Sequence, residues 1–177
     1  EMWQNRHSKI TQEKYMTAST ITSVVHCLAI EITEDEAKCR MQKVASKMGI
    51  IHSRYASQKE FIKTSLAHPL FDDKNRIALF HNGFIANYEE LQKQLKQDKG
   101  IEAETDSQVI AKLIGVELDT GASIKEALKT VVEKKIMGTW KIALMATERP
   151  NAIYFVKNSG NFIIGKEENS IVVTSED

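Results

Sequence analysis

The stretch that most constrains the fold is Ile77-Ala78-Leu79-Phe80 running into His81-Asn82-Gly83-Phe84-Ile85-Ala86-Asn87-Tyr88. Four apolar residues in a row are too few for a helix, and Asn-Gly is a strong stop signal, so residues 77–80 read as a buried strand. Asn87 stands three residues before Glu90, the spacing of a helix N-cap and its partner carboxylate. His81-Asn82-Gly83 is therefore expected on the turn where a strand hands over to a helix. Such a turn can aim an Asn carboxamide and a Gly N–H in one direction. Two convergent donors without full charge suit an oxygen that becomes negative during acyl transfer. The plain alternative is an Asn-Gly turn followed by a cap, and the octapeptide alone favours it.

The rest of the chain falls into blocks. Residues 7–22 are polar and rich in Ser and Thr, which indicates loop or edge strand. Residues 24–30 are apolar enough for a strand or a buried helical turn, and periodicity does not choose between them. Thr33 and Glu36 make a capping box ahead of Ala37, Met41, Val44, Ala45 and Met48 at helical spacing, with Gly49 as the stop. Gly49-Ile50-Ile51 is expected to start a strand that delivers His52-Ser53-Arg54-Tyr55-Ala56-Ser57. A loop at Ala67-His68-Pro69 and a turn at 72–75 precede the central strand.

Beyond it, a helix from 88 to about 96 should bury Tyr88, Leu91 and Leu95 and end at Gly100. Thr105-Asp106 caps a second helix, with Val109, Ile110, Leu113 and Ile114 on one face. Ser123 and Glu126 box a third, carrying Ala127, Val131 and Val132 and closed by Gly138. Strands are expected at 140–146, 153–156, 162–164 and 171–174, with turns at 149–151, 158–161 and 167–170. Strands and helices in separate blocks, ending in a meander, indicate α+β with helices packed on antiparallel sheets.

Composition narrows the function classes. The 177 residues fit one domain, taken as residues 1–177. Lys plus Arg and Asp plus Glu balance at 24 each, which argues against a nucleic-acid or anionic-membrane surface as main partner. No apolar run approaches a membrane span and no signal-peptide pattern opens the chain. Cys27 and Cys39 form neither a disulfide framework nor a Cys-x-x-Cys site and read as buried structural thiols, which makes a reducing cytoplasm the expected location. The five histidines show no ligand spacing, so no metal site is expected, and no cofactor is implied.

Three polar groups follow or cap predicted elements. Arg54 and Asn82-Gly83 each follow a strand, and Asp106 caps a helix. An Arg fork clamps a carboxylate and an Asp pairs with an ammonium. Together they would fit the two charged ends of an amino acid, with Asn82-Gly83 facing an amide oxygen. Each also has a bland reading, as a surface ion pair, a turn or a simple cap.

At these residues the chain resembles the class II glutamine amidotransferases. His81-Asn82-Gly83 with Asn87-Tyr88 is similar to their His-Asn-Gly-x-Ile-x-Asn-Tyr segment. In order along the chain, His52-Ser53-Arg54-Tyr55-Ala56-Ser57, Ala67-His68-Pro69, Glu104-Thr105-Asp106-Ser107-Gln108-Val109-Ile110-Ala111, Gly138-Thr139-Trp140 and Ile163-Ile164-Gly165 also resemble family stretches. Within the family the resemblance is greatest to the glutaminase domain of the glucosamine-6-phosphate synthase branch. The phosphoribosylpyrophosphate amidotransferase branch shares His-Asn-Gly and Thr-Asp, but Gly138-Thr139-Trp140 tilts away from it.

The resemblance implies an N-terminal-nucleophile hydrolase fold, a four-layer αββα sandwich with two antiparallel sheets. It implies hydrolysis of glutamine to glutamate and ammonia. The ammonia would pass to a sugar-phosphate isomerase domain, outside this chain, that aminates fructose 6-phosphate in a homo-oligomeric full-length protein. By position, Arg54 would hold the glutamine carboxylate and Asp106 the α-amine. Ser57 and His68 would complete the pocket wall, and the Asn82 side chain and Gly83 N–H would form the oxyanion hole.

The sequence also departs from the pattern. The family nucleophile is a cysteine at the mature N-terminus, with its own α-amine as base. This sequence opens on Glu1, and His7-Ser8-Lys9 stands where Gly-Tyr-Asp would follow the arginine. Gln58-Lys59 and Asn158-Ser159-Gly160-Asn161-Phe162 also differ from the family. Without that cysteine the chain alone is expected to be inactive. Two explanations compete: a nucleophile-bearing segment preceding Glu1, or a diverged module that binds glutamine or a partner without chemistry. The joint presence of Arg54 and Asp106 favours the first.

Overall fold

The computed structural model describes residues 14–16, 25–27, 49, 50, 52, 66–166, 168 and 170–175, the first two segments as backbone strands. These two, β1 (Lys14–Met16) and β2 (Val25–Cys27), pair antiparallel. The apolar run at 24–30 thus contains a strand. The helix expected over 33–48 lies outside the described residues. Gly49, Ile50 and His52 lie in no strand, contrary to the expected one there.

The central sheet has the order β3 (Leu70–Phe71), β4 (Ile77–Ile85), β5 (Gly138–Ala146), β6 (Arg149–Lys157), all antiparallel. Between β4 and β5 run α1 (Tyr88–Lys99), α2 (Asp106–Asp119) and α3 (Ile124–Lys134). A hairpin of β7 (Ile163–Lys166) and β8 (Ile171–Thr174) follows. The described strands and helices make the expected α+β architecture.

Strand periodicity sorts the core. Ile77, Leu79 and Ile85 of β4 join Trp140, Ile142 and Leu144 of β5 against Leu91, Leu95, Val109, Ile110, Leu113, Ile114, Ala127, Leu128 and Val131 of the helices. Ala78, Phe80, Ala143 and Met145 are buried on the opposite face with Ile50, Phe71 and Ile153. A sheet that is dry on both faces is an inner layer. That is why residues 77–80 are continuously apolar instead of alternating.

Three local expectations are corrected. β4 does not stop at Asn82-Gly83 but continues to Ile85, in register with β5 from Ile77↔Ala146 to Ile85↔Gly138. Gly138 does not close α3, which ends at Lys134 with Lys135 as its cap; Gly138 starts β5. The turn expected at 149–151 is instead Thr147-Glu148, and Arg149-Pro150-Asn151 belong to β6. β6 ends the described sheet order, and on an edge strand a proline without an N–H is tolerated.

The helix ends mostly follow the sequence. Thr105 caps α2 by accepting from Gln108 N–H at 3.2 Å, and Asp106 is the first helical residue rather than the cap. Ser123 and Glu126 form the reciprocal capping box. Gly100 closes α1.

Candidate active site at the end of the central strand

The site begins with the question of why β4 passes through Asn-Gly without turning. Gly83 has φ 145° and Gly138 has φ 130°, conformations that side-chain-bearing residues rarely adopt. A Cβ on Gly83 would land on the Thr139 carbonyl, and one on Gly138 on the Phe84 carbonyl. The two glycines let the backbones of β4 and β5 close together where any other residue would force them apart.

The ladder then sets which way each amide points. Ala86 N–H donates to Met137 O at 2.7 Å, so even-numbered amides of β4 serve β5. Odd-numbered amides point to the opposite edge, where β3 covers only Ala78 and Leu79. Ile77 N–H there meets Asp72 Oδ1, and Ile85 N–H meets Asp106 Oδ2 at 3.2 Å. By the same alternation Gly83 N–H faces that edge. Asn82 is exposed, on the face that also carries Ala78 and Phe80.

Two carboxamides hold the start of β5. Asn87 was expected to cap α1, yet its side chain makes no cap hydrogen bond. Its Nδ2 donates to Lys135 O at 2.8 Å and its Oδ1 accepts from Met137 N–H at 2.9 Å. Asn158 does the same three residues on, donating to Gly138 O and accepting from Trp140 N–H, both at 2.8 Å. Local spacing suggested a cap; the chain's return 48 residues later supplied a better pair of partners for Asn87.

Asp106 is half-buried at the amino end of α2. Its Oδ1 accepts from Ser107 N–H at 2.6 Å and from Ser107 Oγ at 3.2 Å. A carboxylate at a helix N-terminus is favoured by the unpaired amides and the macrodipole. Ser107 Oγ also lies 2.8 Å from His81 Nδ1. His81 points from β4 into the helix face and is only 4% exposed. Its Nε2 is buried, with no hydrogen-bond partner among the described residues. Burial holds the imidazole below its ordinary 6.5, against the Asp106 charge and the nearby Thr139 backbone, which both favour protonation.

His68 is buried on the other face, its ring edge-on to His52 with centroids 4.4 Å apart and 6.5 Å from Phe80. Its Nδ1 lies 3.2 Å from His52 Nε2. Of the six site residues expected from sequence, the structure brings Asn82, Gly83 and Asp106 to one end of β4, and sets His68 beside Phe80, two residues before Asn82. Arg54 and Ser57 lie outside the described residues. The roles that Ser107, Asn87 and His81 take here were not foreseen. The one sequence signal was a histidine at an inward position of an otherwise apolar strand, which burial obliges to find a polar partner.

Among the described residues no group of three or more His, Cys, Asp or Glu could hold a metal ion, and no helix is long and apolar enough to cross a membrane.

With this geometry the chain belongs to a known class: residues 56–177 match the glutamine amidotransferase domain family, and the chain is a member of it. Its relatives include glutamine–fructose-6-phosphate aminotransferases (isomerizing). That of Bacillus thuringiensis subsp. konkukian is 36% identical over 135 residues, covering 76% of this chain and 22% of the relative. That of Pyrobaculum aerophilum is 37% identical over 134 residues, covering 73% and 21%. The chain thus spans about a fifth of the length of these relatives. Among solved structures, glutamine phosphoribosylpyrophosphate amidotransferase from B. subtilis is similar with a TM-score of 0.53 and 24% identity, covering 69% of this chain and 26% of that one. A second, an allosteric regulatory enzyme of purine biosynthesis, has a TM-score of 0.57 at 24% identity, covering 70% and 27%. These likenesses establish the amidotransferase fold of the N-terminal-nucleophile type.

Proposed function

We propose that this chain is the glutamine-hydrolysing part of a larger isomerizing aminotransferase, residues 1–177 forming one amidotransferase domain. Glutamine is split to glutamate and ammonia, and the ammonia passes to a sugar-phosphate isomerase domain that aminates fructose 6-phosphate. The observation that carries this is the edge of β4 beyond β3, where no strand pairs among the described residues: an amide at Gly83 and a carboxamide at Asn82 stand beside a carboxylate already anchored on Ile85 N–H.

In this reading Asp106 receives the substrate α-ammonium and Arg54 its carboxylate, while Ser57 and His68 wall the pocket. The γ-carbonyl oxygen lies against Asn82 Nδ2 and Gly83 N–H. When a thiolate attacks the γ-carbon, the negative charge that develops on that oxygen is met by two donors already in place, which lowers the barrier to the tetrahedral intermediate. The thiol comes from a cysteine-led N-terminus preceding Glu1, and its α-amine carries the proton to the leaving ammonia. The full-length protein works in the cytoplasm as a homo-oligomer. Identity to the fructose-6-phosphate aminotransferases supports this branch over the phosphoribosylpyrophosphate one, whose likeness is one of fold.

Assay of the full-length protein for glutamate release tests the proposal. Wild type should release glutamate, and Asp106→Asn and Arg54→Ala should each raise the KM for glutamine roughly a hundredfold, as for loss of one buried charge pair. A cysteine-led full-length protein that releases no glutamate overturns the reading. Normal turnover in Arg54→Ala removes the carboxylate clamp.

A further inference from the structure

His81 is a buried polar group that the mechanism above leaves unused. It faces the helices, away from Asn82, and among the described residues its one hydrogen-bonded side chain is Ser107. Among the described residues, Ser107 in turn contributes two of the three donors that hold Asp106: its N–H and its Oγ to Oδ1, with Ile85 N–H on Oδ2.

A serine hydroxyl has one proton and cannot give it to both neighbours. If the proton goes to Asp106, Nδ1 of His81 must carry the ring hydrogen and donate to a lone pair of Oγ. Nε2 is then a bare acceptor, in keeping with a buried atom that meets no donor. If instead the ring is protonated on Nε2, Nδ1 takes the serine proton, and Asp106 keeps two backbone amides among the described residues. The first arrangement leaves a third donor on the carboxylate, whose charge makes a missing hydrogen bond costlier than at a neutral ring nitrogen.

We propose that His81 is a positioning residue: as the Nδ1–H tautomer it commits the single hydroxyl proton of Ser107 to Asp106, and so orients the carboxylate that receives the substrate amine. This rests on the assignment of Asp106 to the α-amine. Burial keeps the ring neutral, so the relay holds the carboxylate without placing a competing positive charge beside it.

The test is steady-state glutaminase kinetics on the full-length protein, with melting curves as a folding control. Ser107→Ala should raise the KM for glutamine about tenfold, the loss expected for one charge-assisted hydrogen bond, with kcat changed far less. Ser107→Thr keeps the hydroxyl and should restore the wild-type KM. His81→Asn keeps a donor near the Nδ1 position and should stay close to wild type, whereas His81→Leu should match Ser107→Ala. The double variant His81→Leu/Ser107→Ala should be no worse than either single change, because both break one relay. An unchanged KM in Ser107→Ala, or a loss confined to kcat, overturns the inference. If His81→Leu does not fold, the Ser107→Ala and Ser107→Thr pair decides alone. The two readings fail separately: an unchanged KM in Asp106→Asn sinks the assignment of the site, while a normal response there with a silent Ser107→Ala sinks only the relay.

Discussion

At the carboxyl end of α2, Asp72 accepts from Arg76 N–H at 2.6 Å, from Ile77 N–H at 3.3 Å and from Arg76 Nε at 2.7 Å. Arg76 goes on to Gly115 O at 2.8 Å and to Asp119, which Lys74 also meets at 2.7 Å. At the amino end of the same helix, Asp106, Ser107 and His81 make a shorter chain that ends in a buried nitrogen with no hydrogen-bond partner among the described residues. Both clusters pin α2 to β4 or to the turn before it. In the first, the Asp72 carboxylate and the Arg76 guanidinium are matched by groups of the scaffold. The second leaves one group unmatched and stands beside an exposed Asn82 and Gly83. Polar groups that serve only packing are satisfied internally; a site keeps capacity for something else.

Titration follows the same division. Burial would lower the Arg76 pKa, but the hydrogen bonds and charges of Asp72 and Asp119 outweigh it and the guanidinium is held further towards its charged form. His81 has the Asp106 charge and the Thr139 backbone to offset its burial, and there burial wins.

The largest way to break the comparison is to remove the scaffold anchor. Asp72→Ala strands the Arg76 guanidinium and two amides, and should cost about 3–5 kcal/mol in chemical denaturation. The KM for glutamine of the molecules that remain folded should not change. A shift in that KM would mean that the two ends of α2 are not separate in function.

Gly83→Ala strikes the other side. Strain at φ 145° and the collision with Thr139 should cost about 1–3 kcal/mol. Glutamate release per folded molecule should fall by about a hundredfold, since a donor is displaced by a fraction of an ångström. Stability lost without activity would place the oxyanion elsewhere.

Lowering the pH sharpens the contrast. With the His81 pKa below 6.5 in the folded chain, the unfolded chain binds the extra proton first. Its contribution to stability is therefore complete above pH 6.5 and declines as the pH falls from there towards the folded value. The melting temperature should drop across that window in wild type, and the drop should be smaller in His81→Asn. Equal slopes in the two proteins would remove His81 as the titrating group.

The smallest effect is expected at Asn87, outside both clusters. Serine is as good a helix cap as asparagine but too short to bridge Lys135 and Met137. Asn87→Ser should still cost about 1 kcal/mol, measured by denaturant midpoint. A neutral change would return Asn87 to the role of a plain cap.

Much of the fold was legible because short-range rules govern it. The caps at Thr105 and Ser123, the stop at Gly100 and the strands at 140–146 and 171–174 depend on residues within a turn of each other. The errors fall where a distant segment outbid a local rule. Asn82-Gly83 stays in a strand because Trp140 and Lys141 pair with it. Asn87 turns from its own helix because Lys135 and Met137 arrive beside it. Gly138 serves the close approach to Phe84 rather than a helix end.

The site divides along the same line. Residue order alone was enough to place an acidic group at a helix start and an amide pair after an apolar run, because caps, hydrophobic runs and motifs are written in neighbouring residues. Which way those groups face was decided by the ladder between β4 and β5, since the phase of an antiparallel pair belongs to two strands and to neither one separately. The link from His81 through Ser107 to Asp106 joins residues 26 positions apart, and only the packing of α2 on the sheet brings that hydroxyl within reach of the ring.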